Sequence, residues 1–257
     1  MTVGLAWLPA TVFTFLLIFA RVGSMLMLMP ALGETSIPMQ LRLTFALAFA
    51  FVLLPILSSQ LPVSPDDLGA VGVMLVHEIV IGLILGGVTR LIVQTTELAG
   101  AIIAYQAGIS MAQAADPSQQ GIQGAVVGNF LSMLGITMIF ATDLHHLALA
   151  AIVNSYKVMS PTDPLMFNDA MQLAVNTTAQ SFVIGAQMAA PFIVFGLVFN
   201  IGLGILSRLM PALQVYFLAS SASIGLALVL FGALLTMMMG WYLMHVQQAL
   251  SLIGGSG

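Results

Sequence analysis

Three groups of residues have the types and spacing for chemistry, and each is weighed against what that chemistry requires. His77-Glu78 opens like the helix of a zinc protease, where a second histidine four residues on must share the face of the first. Ile81 stands at that position, so the zinc-hydrolase reading fails. Gly108-Ile109-Ser110-Met111-Ala112 resembles a nucleophile elbow, and His145 or His146 offers a base. Its second glycine is missing and no oxyanion donors are evident, so an intramembrane serine protease is a weak alternative. Asp143, His145 and His146 could make a weak metal site short of a full ligand set; a polar cluster facing a subunit or an interface is preferred. The sole lysine, Lys157, follows Tyr156 rather than glycine, which excludes a Walker loop. The absence of cysteine removes thiolate catalysis and Cys-ligated metals. No catalytic, cofactor-binding or metal-binding residue is therefore assigned, and the chain is not read as an enzyme.

Composition explains why chemistry is scarce. Of 257 residues 60% are hydrophobic and 5% charged, against roughly a quarter charged in an ordinary soluble domain. The net charge of −4 leaves no basic face for nucleic acid. Mean hydropathy is +1.10, and in lipid only helices or closed barrels satisfy every backbone group. The uninterrupted apolar runs favour helices. Charges inside those runs are therefore informative. Arg21 lies near the middle of the first run, where snorkelling to the interface is difficult, so it should face protein, water or a carboxylate. His77-Glu78 and Glu97 could form a proton relay, but satisfying polar groups of a neighbour is the preferred role. Eighteen methionines supply deformable apolar surface whose default use is gap filling. Gly82-xxx-Gly86 and Gly124-xxx-Gly128 permit close helix contact.

The elements that hold these residues are about six hydrophobic helices in kinked hairpins, an all-α integral membrane-type protein. The first is expected over Leu8–Met29, followed by a turn-rich link from Pro30 to Pro38 and a second span over Leu43–Leu61. Ser64-Pro65-Asp66-Asp67 predicts a helix start with a capping hydroxyl, a proline in the first turn and carboxylates at the positive dipole end. That third helix should run towards Glu97. Leu98–Ala115 is apolar but broken by glycine and ends in a polar stretch, Gln113 to Gly121, that must line protein or water rather than lipid. A fourth helix is expected over Gly124–Ala141. The polar connection 154–169, with Asp163-Pro164 as a cap, would divide two halves of a single domain spanning 1–257. Pro191 predicts a kink or break in the uncharged run from Ala170 to Ser207, and a last apolar stretch runs over Leu209–Met244. Five cationic residues are spread too thinly for the positive-inside rule to orient the spans.

The ordered motifs resemble one family. They are Ala20-Arg21-Val22-Gly23; Pro30, Gly33, Ile37-Pro38 and Arg42; Glu78 to Gly86; Glu97-Leu98-Ala99-Gly100; Gln106 to Met111; Asp116-Pro117; and Asn200 to Pro211, which includes Arg208. Together they are similar to the flagellar export-gate FliR family, whose relatives in virulence type III secretion are the SctT/SpaR/YscT proteins. The likeness spans about residues 10–235. The chain departs from it after Pro211, where Ala212-Leu213-Gln214 replaces the usual Gln-Leu/Met-Asn.

The resemblance implies a non-enzymatic subunit of a heteromeric helical export gate in the bacterial inner membrane at the flagellar basal body. It would assemble with FliP and FliQ, and with FlhB and FlhA, to pass unfolded flagellar proteins. By the same resemblance residues 106–122 form a plug loop in the pore, with Gln106, Gly108, Ser110, Met111, Asp116, Pro117 and Gly121 as its marked positions. Arg21, Pro30, Gly33, Pro38, Arg42, Glu78, Glu97, Arg208 and Pro211 would be structural or inter-subunit positions. A virulence gate of the same family is the alternative. A small-solute secondary transporter is a weaker one, because no inverted repeat is visible.

Overall fold

The computed structural model describes residues 8–30, 32–33, 37–65, 67–109, 125–162, 167–210 and 215–253. Among these the chain is all α-helical, with α1 (Leu8–Leu28), α2 (Met39–Leu57), α3 (Leu68–Gln106), α4 (Ala125–Ala141), α5 (Leu144–Val158), α6 (Phe167–Leu209) and α7 (Val215–Ile253). Five of these helices are long and apolar enough to cross a membrane, and six spans result if consecutive α4 and α5 count as one. This agrees with the six hydrophobic helices expected from the sequence.

Boundaries shift where local hydrogen bonding outweighs hydropathy. The cap of α3 is Asp67, whose two carboxylate oxygens accept from the amides of Gly69 and Ala70 at 3.2 and 3.1 Å. The expected cap, Ser64, instead donates to the Pro65 carbonyl, because only Asp67 stands directly before the free N–H groups of the first turn. Helix α2 begins four residues earlier than expected, directly after Pro38, which is extended at φ −54°, ψ 136°. Helix α3 runs on to Gln106 without stopping near Glu97, since glycine within an apolar helix costs only about 1 kcal/mol of propensity and returns close packing. Helix α6 passes Pro191 unbroken: the helical φ of proline fits, and the membrane-type setting tolerates the missing amide. The expected Asp163-Pro164 cap and Asp66 lie outside the described residues.

The chain divides into two compact units. One comprises Met1–Ile92, Asp143–Thr178 and Gln247–Gly257; the other comprises Val93–Thr142 and Ala179–Val246. In the first, α1 carries a buried stripe of Leu17, Ile18, Val22 and Met25, the spacing of one helix face. Helix α2 lies against α1 and buries only Ala46, Ala50, Leu53 and Leu57. Its other faces expose Phe51, Val52 and Ile56. Glycines let α3 approach α1: a Cβ on Gly82 would overlap Ser24 Oγ and the Arg21 carbonyl, and one on Gly86 would lie 2.7 Å from the Met25 carbonyl.

In the second unit the same device joins α3 to α4, where a Cβ on Gly100 would overlap the backbone of Gly128. Phe231 of α7 gathers Phe130 and Phe192, with ring centroids 6.0 and 6.2 Å away. Tyr242 is fully buried against Gly135.

Candidate functional site

The buried charge that the sequence makes conspicuous is also the centre of the first unit. Arg21, on the inward stripe of α1, is wholly buried. Its Nε donates to Glu78 Oε2 at 2.7 Å and one terminal nitrogen donates to Oε1 at 2.8 Å. This is the parallel two-bond geometry in which guanidinium and carboxylate match best. The same terminal nitrogen donates to the Met159 carbonyl at 2.8 Å, and the other donates to Ser155 Oγ at 3.1 Å. The guanidinium carbon lies 3.9 Å from the centre of the Tyr156 ring, completing a cation–π contact. Arg21 thus ties α1 to α3 and to the end of α5.

Chemically this cluster is closed. Both Glu78 oxygens are occupied by Arg21, neither side chain touches solvent, and no surface remains for a substrate. Burying two charges brings little net stability even with ideal geometry, but one left without its partner is costly. The cluster is therefore a joint between helices. His77, beside it, has Nδ1 3.8 Å from Glu78 Oε1, beyond hydrogen-bond reach, and neither ring nitrogen has a hydrogen-bond partner among the described residues.

A second constellation closes the α1–α2 hairpin. The Gly33 amide donates to the Met29 carbonyl at 2.7 Å, and the Pro38 carbonyl accepts from the amides of Leu41 and Arg42. Arg42 donates to the Gly33 carbonyl at 3.4 Å. A side chain at Gly33 would place its Cβ 2.5 Å from the Met27 carbonyl, so only glycine fits. Gly33 and Arg42 are thus brought together beside Pro38, and Pro30 lies two residues past α1.

The third lies at the end of α3, in the second unit. Gly108 follows the helix at φ +80°, the left-handed conformation that ends helices and that glycine adopts freely. Its amide donates to the Tyr105 carbonyl, and that of Ala107 donates to the Ile103 carbonyl. Ser223 Oγ of α7 donates to the Ala107 carbonyl at 3.3 Å, and Gln106 packs where a Cβ on Gly196 of α6 would stand. The chain therefore enters the segment after residue 109 from a firmly held stem. Beside the stem is an apolar cavity of about 260 Å³ lined by Ile103, Ala107, Phe130 and Phe231 among others.

The remaining expected positions are not gathered into these clusters. Glu97 is exposed on α3 and only its backbone approaches Gly128. Arg208 is exposed in the last turn of α6, where a cation complements the helix dipole. Neither makes an ion pair among the described residues. Ser110, Met111, Asp116, Pro117, Gly121 and Pro211 lie outside the described residues. Ser155, Tyr156 and the Met159 carbonyl are the partners that sequence reading misses. Asn154 onward reads as a polar connection, yet Ala148, Ile152 and Ser155 repeat at helical spacing and are all buried, a periodicity that places Ser155 on the inward face. A backbone carbonyl such as that of Met159 leaves no mark in the sequence.

Comparison with known proteins supplies what this geometry alone does not. Residues 12–249 match the family described as bacterial export proteins, family 1. The chain is 48% identical over 217 residues to the flagellar biosynthetic protein FliR of Caulobacter vibrioides, covering 84% of this chain and 86% of that one. It is 27% identical to the Bacillus subtilis protein of the same name over 79% of this chain and 78% of that one. Similarity extends to the Yop proteins translocation protein T of Yersinia pestis, 26% identical over 85% of each chain.

Proposed function

The chain belongs to the bacterial export proteins, family 1, and from that premise we propose that it is a non-enzymatic core subunit of a flagellar type III protein export gate. The observation that carries this reading is the 48% identity to a flagellar relative over 84% of the chain. The virulence relative, at 26%, supports the virulence alternative less strongly. The chain is a multi-pass membrane protein, and its site is the bacterial inner membrane at the flagellar basal body. FliP and FliQ are its assembly partners, with FlhB and FlhA adjoining, and unfolded flagellar proteins are its cargo. Its own residues supply architecture: the Arg21–Glu78 joint and the glycine contacts hold helices in register, and the stem at Gln106 and Gly108 presents the 106–122 plug loop to the pore. Energy for transport comes from other components, since no nucleotide-binding motif is present in the sequence.

Three experiments test this. A tagged chain purified in mild detergent should carry FliP and FliQ, identified by mass spectrometry; a chain that purifies alone or only with itself would return the transporter reading. The gene should restore swimming to a flagellated strain lacking its own relative. Rescue of a virulence secretion strain instead would select the other branch of the family. Deleting residues 110–121 should leave the assembly intact and make the membrane leak small ions, whereas loss of assembly would remove the plug assignment.

A further inference from the structure

Asp143, His145 and His146 gather three metal-binding side chains at the start of α5, apart from the joint, the hairpin turn and the stem, and we propose that they form a site for a late first-row divalent cation of the zinc class. One donor atom from each residue can be chosen so that all three lie within 4.8 Å of one another. Asp143 Oδ1 stands 3.8 Å from His146 Nδ1. That is too far for a hydrogen bond, and it is within the roughly 4 Å that two metal–ligand bonds of about 2.0–2.2 Å span. The ring of His145 lies 4.1 Å from that of His146, centre to centre.

The placement of Asp143 supports a ligand role. It occupies the N-cap position of α5, where aspartate is among the best residues for accepting the free helix amides. It makes no side-chain cap hydrogen bond, and its backbone takes a left-handed conformation at φ 59°, ψ 12°, uncommon outside glycine and asparagine-like residues. The side chains of Asp143 and His146 are 77% and 68% exposed, so an ion reaches them without any opening of the fold. Two imidazoles and one carboxylate suit zinc, nickel or copper, whereas magnesium and calcium prefer oxygen alone. Water completes the coordination shell, as in zinc sites with three protein ligands. The inference stands independently of the export reading.

The test is a titration of the full-length chain in detergent, purified on a tag without histidines and stripped with chelator. Zinc chloride should fill one saturable equivalent at micromolar concentration, and cobalt substituted at the same stoichiometry should give the intense visible absorption of a four-coordinate centre. Asp143→Asn, which keeps a residue at ease in left-handed backbone, and His146→Gln should each weaken binding at least about tenfold. Size-exclusion profiles matching the parent would show that these variants remain folded; His145→Gln serves as a further ligand variant. No saturable equivalent below about 1 mM, or binding that all three substitutions leave unchanged, would overturn the site.

Discussion

Arg21 occupies a position where an arginine in lipid would cost a few kcal/mol, and the structure resolves that cost inside the chain. Glu78, Ser155 and the Met159 carbonyl use its nitrogens, so the charge that the sequence expects to face protein, water or a carboxylate sits in an internal joint. Its strength is asymmetric. Glu78→Gln leaves a buried guanidinium without its counter-charge and should lower stability by about 3–5 kcal/mol, seen as a reduced thermal midpoint in detergent. Replacing both residues together, Arg21→Met with Glu78→Met, should recover much of that loss, because the desolvation cost disappears with the pair. If the double variant were as unstable as Glu78→Gln, the joint would owe its strength to more than paired charge. Ser155→Ala removes one hydrogen bond to a charged group and should cost about 1.5–3 kcal/mol in the same assay.

Helix contacts in both units rely on glycine where backbones meet. Gly82 against Ser24 and Arg21, and Gly100 against Gly128, leave no room for a methyl group. Gly82→Ala and Gly100→Ala should therefore each separate a helix pair and destabilise by about 1–3 kcal/mol or more. Gly87 lies one residue beyond Gly86 on α3, and its Cβ would meet nothing within 4 Å. There the same substitution should be neutral or stabilising by up to about 1 kcal/mol, since alanine forms helix better. Thermal midpoints of the three variants, measured side by side, check the contrast. Equal effects at Gly82 and Gly87 would mean that propensity, not close approach, governs α3.

At the scale of the whole molecule the chain leaves much apolar surface uncovered. Val194, Leu197, Val198, Ile201 and Ile205 of α6 are all exposed, and a chain with 5% charged residues cannot present such a face to water. Gly202 and Gly204 lie among them with open space around each, although small residues in membrane helices commonly mark helix–helix contacts. Gly202→Leu should leave the midpoint of the isolated chain unchanged and reduce co-purified FliP and FliQ at least about tenfold, as an overfilled contact does. Undiminished co-purification would assign that face to lipid.

How much of this was legible in the sequence depends on the range of the interaction concerned. Hydropathy and the absence of charge determined an all-α membrane-type chain, because backbone groups in an apolar surround must bond within their own helix. The hairpin turn was marked as well: proline, glycine and proline at Pro30, Gly33 and Pro38 constrain the backbone locally. The glycine break after Leu98 was marked for the same reason, with Gly108 ending α3 in left-handed backbone, and the ordered motifs carried the family. The cap of α3 was misplaced from Asp67 to Ser64, since both residue types cap helices and only the course of the chain decides which one faces the free amides. The partners of Arg21 were decided by tertiary structure alone. Glu78 is 57 residues away and Ser155 134 residues away, and which distant carboxylate and hydroxyl meet a buried guanidinium follows from how closely Gly82 and Gly86 let α3 approach α1, a packing distance that no local pattern encodes.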